Sequence, residues 1–175
     1  MTPLALSAAA LLTVLLIMLA ELAMSRANER WLRANGAVEA PDEVYGTMRW
    51  AYPATFVAMG LEGAFFGPTP GRMAVVGVLV LIAAKLLKYW AIASLGRRWS
   101  YGVLTIPGAP LVVSGPYRWL RHPNYVGVLG ELVGMAILVG ARISGPLATI
   151  FFASLLWRRI VAEERALNRA PDLHG

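Results

Sequence analysis

The chain has 175 residues, 58% of them hydrophobic and only 15% charged, with a mean hydropathy of +0.59, too apolar and charge-poor for an ordinary soluble domain. Its net charge of +6 comes from Lys and Arg placed at the ends of apolar runs rather than along a polar face, which argues against nucleic acid and for membrane topology. The absence of cysteine excludes disulfides, thiolate metal sites and thiol catalysis, and two histidines, His122 and His174, without a His-Glu-x-x-His helix, predict no metal.

Apolar runs of about 20 residues match the hydrocarbon thickness of a bilayer. The first, Leu4 to Met24, lacks a basic leader and carries Glu21, and reads as a retained transmembrane helix rather than a signal peptide. A polar stretch from Ser25 to Thr47, with Arg26, Arg30, Arg33 and the turn formers Asn35-Gly36, reads as a long cytoplasmic loop. The second span, Trp50 to Phe66, and the third, Met73 to Leu95, are joined by Gly67, Pro68, Pro70 and Gly71 and read as a hairpin. Arg97, Arg98 and a Pro- and Gly-rich segment follow. Two shorter runs, Tyr125 to Ala141 and Ser144 to Trp157, form a second hairpin, which continues into a charged helical tail from Arg158 to Arg169.

The expected fold is therefore all-α, a single domain over residues 1–175. It is a polytopic membrane bundle of about five transmembrane helices, three of them within residues 1–95, with a loop, hairpin and C-terminal helix in 96–175. The basic loops place the N-terminus outside and the C-terminal part in the cytoplasm, as in a bacterial inner membrane. Lys85 and Lys88 lie where long stems can snorkel to the interface. Glu131, well inside the fourth run, needs either a charged partner or a water-filled cavity.

The densest polar information is Ser114-Gly115-Pro116-Tyr117-Arg118-Trp119-Leu120-Arg121-His122-Pro123-Asn124-Tyr125-Val126-Gly127. Gly115-Pro116 predicts a sharp turn, and Pro123 at the start of the next helix forces His122 out of helical geometry. Such a segment suits either a basic-aromatic membrane anchor or the holding of a polar cofactor with a flat base. Downstream, Arg159 and Glu163 are four residues apart on one helical face, either as a simple ion pair or as receptors for an anion and an ammonium.

The Arg-His-Pro-Asn-Tyr loop, its Ser-Gly-Pro-Tyr lead-in and the Arg-x-x-x-Glu-Glu tail resemble the isoprenylcysteine carboxyl methyltransferase family, over roughly Ala109 to Leu167. Asn28 to Arg30 and Arg33 to Glu39 resemble its bacterial branch, some members of which methylate alkylpyrone hydroxyls. The resemblance implies an S-adenosylmethionine-dependent O-methyltransferase. It implies a cofactor pocket lined by Pro110, Leu111, Val112, Tyr117, His122, Pro123, Asn124, Tyr125 and Glu163, the last receiving the cofactor's amino group. Arg159 would be the catalytic and substrate-binding residue, facing the acceptor oxygen. A further cofactor contact of the family, near Tyr101 or Gly102, cannot be aligned by spacing.

The expected partners are membrane lipids and a lipophilic small-molecule or prenylated substrate bearing a carboxylate or acidic enol. Three alternatives stay open on sequence: a phospholipid N-methyltransferase, a sterol-type reductase, which would need a dinucleotide site, and a non-enzymatic membrane scaffold. The Gly130-x-x-x-Gly134 spacing suits close helix approach within one bundle.

Overall fold

The computed structural model describes residues 2–39, 44–67, 69 and 71–169. Among these are five α-helices: α1 (Pro3–Ala34), α2 (Tyr45–Phe66), α3 (Gly71–Leu95), α4 (Pro123–Val139) and α5 (Ser144–Arg169). Single 3-10 turns stand at Gly96–Arg98 and Gly115–Arg118. Two short strands, β1 (Val38–Glu39) and β2 (Leu104–Thr105), pair antiparallel with Val38 opposite Thr105, a small addition to the all-α expectation.

Two helices, Leu4–Ala34 and Gly71–Arg98 with its 3-10 end, are long and apolar enough to cross a membrane. The 17 residues of α4 span about 25 Å at 1.5 Å per residue, short of a hydrocarbon core of about 30 Å. Large apolar side chains stand exposed on α1 (Leu12, Leu16, Leu19) and α3 (Leu79, Ile82, Leu86).

The polar stretch after Met24 is not a long loop. Residues Ser25 to Ala34 continue α1, because Arg, Ala, Glu and Leu are good helix formers whatever their polarity. The helix stops at the Asn35-Gly36 turn, where Gly36 takes a φ of +77°. The extension puts Asn28 and Glu39 to structural use: the Asn28 amide donates to the Trp99 carbonyl at 2.8 Å, and Arg33 meets Glu39 at 2.6 Å.

Helices α2 and α3, expected as a hairpin, do not pack broadly on each other. Instead α3 lies along α4, while α2 packs on α1, α4 and α5. The reason is a ribbon of small residues. A Cβ at Gly134 would stand 2.8 Å from Leu81, one at Gly130 2.8 Å from Ala84, and one at Gly127 3.0 Å from Lys88. Glycine lets the α3 and α4 backbones approach closely. Gly134→Leu should therefore force the pair apart, lowering folded yield and melting temperature in detergent, an overpacking cost of about 1–3 kcal/mol or more. Gly46→Ala, with open space around it, serves as the neutral control.

The core between α2, α4 and α5 is built on Phe56, Met59, Leu132, Met135 and Phe152, all fully buried. The Tyr52 ring meets Phe56 edge-on at 5.1 Å and Phe152 at 5.2 Å. Beside it lies a buried group of four charges. Lys88 Nζ stands 2.6 Å from Glu21 and 3.3 Å from Glu131, and Lys85 Nζ stands 3.1 Å and 2.9 Å from the same two carboxylates. Tyr52 donates its hydroxyl to Glu131 at 2.9 Å, and Tyr101 donates to Glu21 at 3.0 Å.

The Lys88 side chain is 1% exposed, so the snorkelling expectation is corrected: both lysines turn inward because carboxylates on α1 and α4 await them. Two positive and two negative charges cancel, which is how ionisable groups are tolerated in an apolar interior.

Candidate active site

The loop between α3 and α4 is shaped by its glycine and prolines. Gly115 has a φ of +60°, a conformation that other residues adopt only with strain, and a side chain there would also collide with Ser94 and Trp90. Pro123 is the first residue of α4, and His122 before it is non-helical at φ −130°, ψ 62°, as the sequence predicts. The consequence is that Tyr117, His122, Asn124 and Tyr125 reach one cavity.

That cavity has a volume of about 770 Å³, within the usual range of small-molecule sites. Eight of the residues that the family resemblance implied face it together: Leu111, Val112, Tyr117, His122, Asn124, Tyr125, Arg159 and Glu163. Two do not. Pro110 is exposed and accepts a hydrogen bond from Arg98 at its carbonyl, 2.6 Å away, and Pro123 is buried in the first turn of α4. An apolar stretch of the wall comes from elsewhere in the chain: Leu15, Met18, Leu19 and Leu22 of α1, Met48 and Tyr52 of α2, and Phe152 and Leu156 of α5.

The polar end is organised around Glu163. Tyr125 donates its hydroxyl to Glu163, His122 Nδ1 stands 3.5 Å from it and Arg159 Nε 3.4 Å. The His122 and Tyr125 rings stack, 9° from parallel at 5.5 Å. Burial pushes the Glu163 carboxyl up, but the hydrogen bonds from His122 and Tyr125 and the Arg159 charge outweigh it and hold the group below its ordinary value. Hydrogen bonding to Glu163 raises His122 in turn, against the effect of its own burial. Burial and the Glu163 charge push Tyr117 up to about 12.

Arg159 is 6% exposed. Its guanidinium donates to the Tyr101 carbonyl and lies 5.7 Å and 5.8 Å from the ring centroids of Tyr45 and Tyr125. Asn124 Oδ1 is buried with no hydrogen-bond partner among the described residues, an orphaned acceptor in a cavity wall and the kind of atom a ligand donor satisfies.

A model of the isoprenylcysteine carboxyl methyltransferase family matches residues 75–169, from within α3 to the end of α5, which covers both the polar loop and Arg159. The chain belongs to this isoprenylcysteine carboxyl methyltransferase family. It is 34% identical to the uncharacterized protein YpbQ of Bacillus subtilis over 85% of this chain and 89% of that one. It is 31% identical to the protein-S-isoprenylcysteine O-methyltransferase of Saccharomyces cerevisiae and 32% identical to the probable enzyme of that name in Oryza sativa subsp. japonica. These alignments cover 53% and 54% of this chain but only 40% and 50% of the two relatives. No solved structure matches.

Membership of this membrane-associated methyltransferase family agrees with the two helices apolar enough to cross a bilayer. The matched segment supplies the polar end of the cavity, whereas the α1 and α2 walls lie outside it. Tyr45, Arg98 and Tyr101, all facing the cavity, carry no motif in the sequence that singles them out.

Proposed function

We propose that this protein is a multi-pass membrane O-methyltransferase that uses S-adenosylmethionine to methylate a carboxylate or acidic enol on a lipophilic substrate. The observation that carries the reading is one cavity with two ends. A hydrogen-bonding end built on Glu163, His122, Tyr125 and Asn124 adjoins an apolar wall from α1, α2 and α5, and Arg159 touches both Glu163 and Tyr45. Family membership supports it, as does the Saccharomyces cerevisiae relative, a protein-S-isoprenylcysteine O-methyltransferase. In this reading the C-terminal part is cytoplasmic and the N-terminus outside, in a bacterial inner membrane, as the distribution of Lys and Arg between the apolar runs suggests.

The residues fit the cofactor. Glu163, held ionised, receives an ammonium; Asn124 Oδ1 accepts from a hydroxyl or amino group; the stacked rings of His122 and Tyr125 suit a flat base. When bound, S-adenosylmethionine supplies an electrophilic methyl group on a sulfonium. What the chain contributes beyond binding is alignment of the acceptor oxygen and exclusion of water.

Arg159 orients that oxygen through a rigid, permanently charged fork. A carboxylate, with an ordinary pKa of about 3.5, is ionised at neutral pH and needs no base. The cavity wall also carries Arg49, Arg98 and Arg121 against Glu163 and Glu164, an excess of positive charge that favours an anionic acceptor over an amine.

The test is binding and transfer by wild-type protein in detergent or nanodiscs. Tritiated methyl should pass from S-adenosylmethionine to N-acetyl-S-farnesylcysteine, a lipophilic acid, and not to phosphatidylethanolamine. Failure of the folded protein to bind S-adenosylmethionine would sink the proposal, and transfer to the amine instead would overturn its acceptor class.

The pH dependence follows from His122. Protonated, it competes with the cofactor's ammonium for Glu163, so affinity should rise about three- to tenfold as pH is raised through the His122 pKa, which lies above its ordinary value. The stability that the pair confers has the opposite sign. A raised folded pKa contributes fully below the unfolded value of about 6.5 and is lost as pH rises through the folded one. Both slopes should flatten in His122→Asn, measured by calorimetric titration and by melting.

A further inference from the structure

We propose that Tyr101, seated on the buried Glu21, Lys85, Lys88 and Glu131 group, is a positioning residue that fixes the Arg159 guanidinium at the acceptor end of the cavity. The inference rests on the reading of Arg159 given above, and adds to it a link from α1 to the reacting end of α5.

All three polar groups of Tyr101 are held. Its amide donates to Ser25 Oγ at 2.8 Å, its hydroxyl donates to Glu21 Oε2 at 3.0 Å, and its carbonyl accepts from Arg159. Glu21 and Ser25 lie four residues apart and so share one face of α1. Ser25 is itself anchored, donating to Glu29 at 2.8 Å. The loop that carries the Tyr101 carbonyl is thereby pinned to α1 at two points.

The seat is stiff. Each lysine of α3 lies within 3.3 Å of both Glu21 and Glu131, so Glu21 is clamped from one side of a closed set of ion pairs. Its side chain is 1% exposed, leaving no water to replace a lost partner. A tyrosine hydroxyl donating to such a carboxylate inherits its position.

This support matters because Glu163, an acidic contact of Arg159, has a second duty. Glu163, 3.4 Å from Nε, is the group that receives the cofactor's ammonium, so its hold on Arg159 weakens when the cofactor arrives. The Tyr101 carbonyl stays in place. Acceptor geometry should thus depend on Tyr101 and Ser25, whereas cofactor affinity should not.

Tyr101→Phe removes the hydroxyl and keeps the ring, amide and carbonyl; Ser25→Ala removes the partner of the amide. Both are measured as full-length protein in detergent with 15N-labelled arginine, the Arg159 Nε–Hε signal being the one missing from Arg159→Lys. The expected result is a shifted, faster-exchanging Arg159 signal in both variants. For N-acetyl-S-farnesylcysteine, kcat should fall about tenfold, while the Kd for S-adenosylmethionine stays within twofold.

An unchanged Arg159 signal in folded Tyr101→Phe overturns the proposal. Should Tyr101→Phe not fold, an unchanged signal in Ser25→Ala overturns it in the same way. A tenfold loss of cofactor affinity would also overturn it, by making Tyr101 a cofactor contact. Absence of cofactor binding in wild type would instead sink the methyltransferase reading, and the Arg159 signal would still decide whether Tyr101 holds the guanidinium.

Discussion

Arg159→Lys should lower kcat/KM for a lipophilic acid about 100-fold, roughly 2.7 kcal/mol at the transition state, with the Kd for S-adenosylmethionine within threefold of wild type. The charge survives the substitution, so a simple electrostatic role would survive with it. What is lost is the planar fork. Arginine donates to the Tyr101 carbonyl while lying near the rings of both Tyr45 and Tyr125 and reaching Glu163. An ammonium cannot make that set of directed contacts, nor hold an oxyanion in a fixed orientation at the same time. Steady-state kinetics with radiolabelled cofactor, beside a binding titration, decide the matter. A lysine variant with near wild-type kcat/KM would remove Arg159 from the acceptor site.

Glu163→Gln should act on the other ligand, raising the Kd for S-adenosylmethionine at least tenfold, which is about 1.4 kcal/mol. Glutamine keeps the size and one acceptor oxygen but surrenders the charge that an ammonium requires. The neighbouring Glu164 provides the contrast. Its side chain is 38% exposed and reaches His122 at 3.7 Å and Arg121 at 3.2 Å, so solvent screens it, and Glu164→Gln should change the Kd less than threefold. Calorimetry on both variants, each checked for an intact melt, separates a specific ammonium receptor from a diffuse acidic patch. Equal losses in the two would favour the patch.

The polar end of the cavity is legible in the sequence because its parts are local. Gly115, Pro116 and Pro123 dictate backbone shape within a few residues of themselves, and Arg159 and Glu163 are bound to one face by helical spacing alone. The apolar wall from α1 and α2 is not legible, since Leu15, Met18 or Met48 look the same whether they face lipid, core or cavity. The loop expected after Met24 does not form because polarity is no sign of irregular backbone: Arg, Glu and Ala prolong a helix that rises past the apolar layer. The α2–α3 hairpin fails for a different reason: short connections favour packing of neighbours, but the glycines of α4 offer α3 a closer partner. Lys85 and Lys88 mislead when read one residue at a time. Two lysines in one apolar run and single carboxylates, Glu21 and Glu131, in two others balance only when counted together, and that balance is the available signal.

The four-charge group also has a history within each molecule as it is made. Synthesis delivers Glu21 first, Lys85 and Lys88 next, and Glu131 only after the whole loop between α3 and α4 has emerged. A nascent chain that has completed α3 therefore holds two lysines against one carboxylate, an excess of positive charge among otherwise apolar segments. The arrival of α4 removes that excess as its glycines close on α3. Pairing of both α3 lysines and completion of the cavity therefore wait on the last third of the chain.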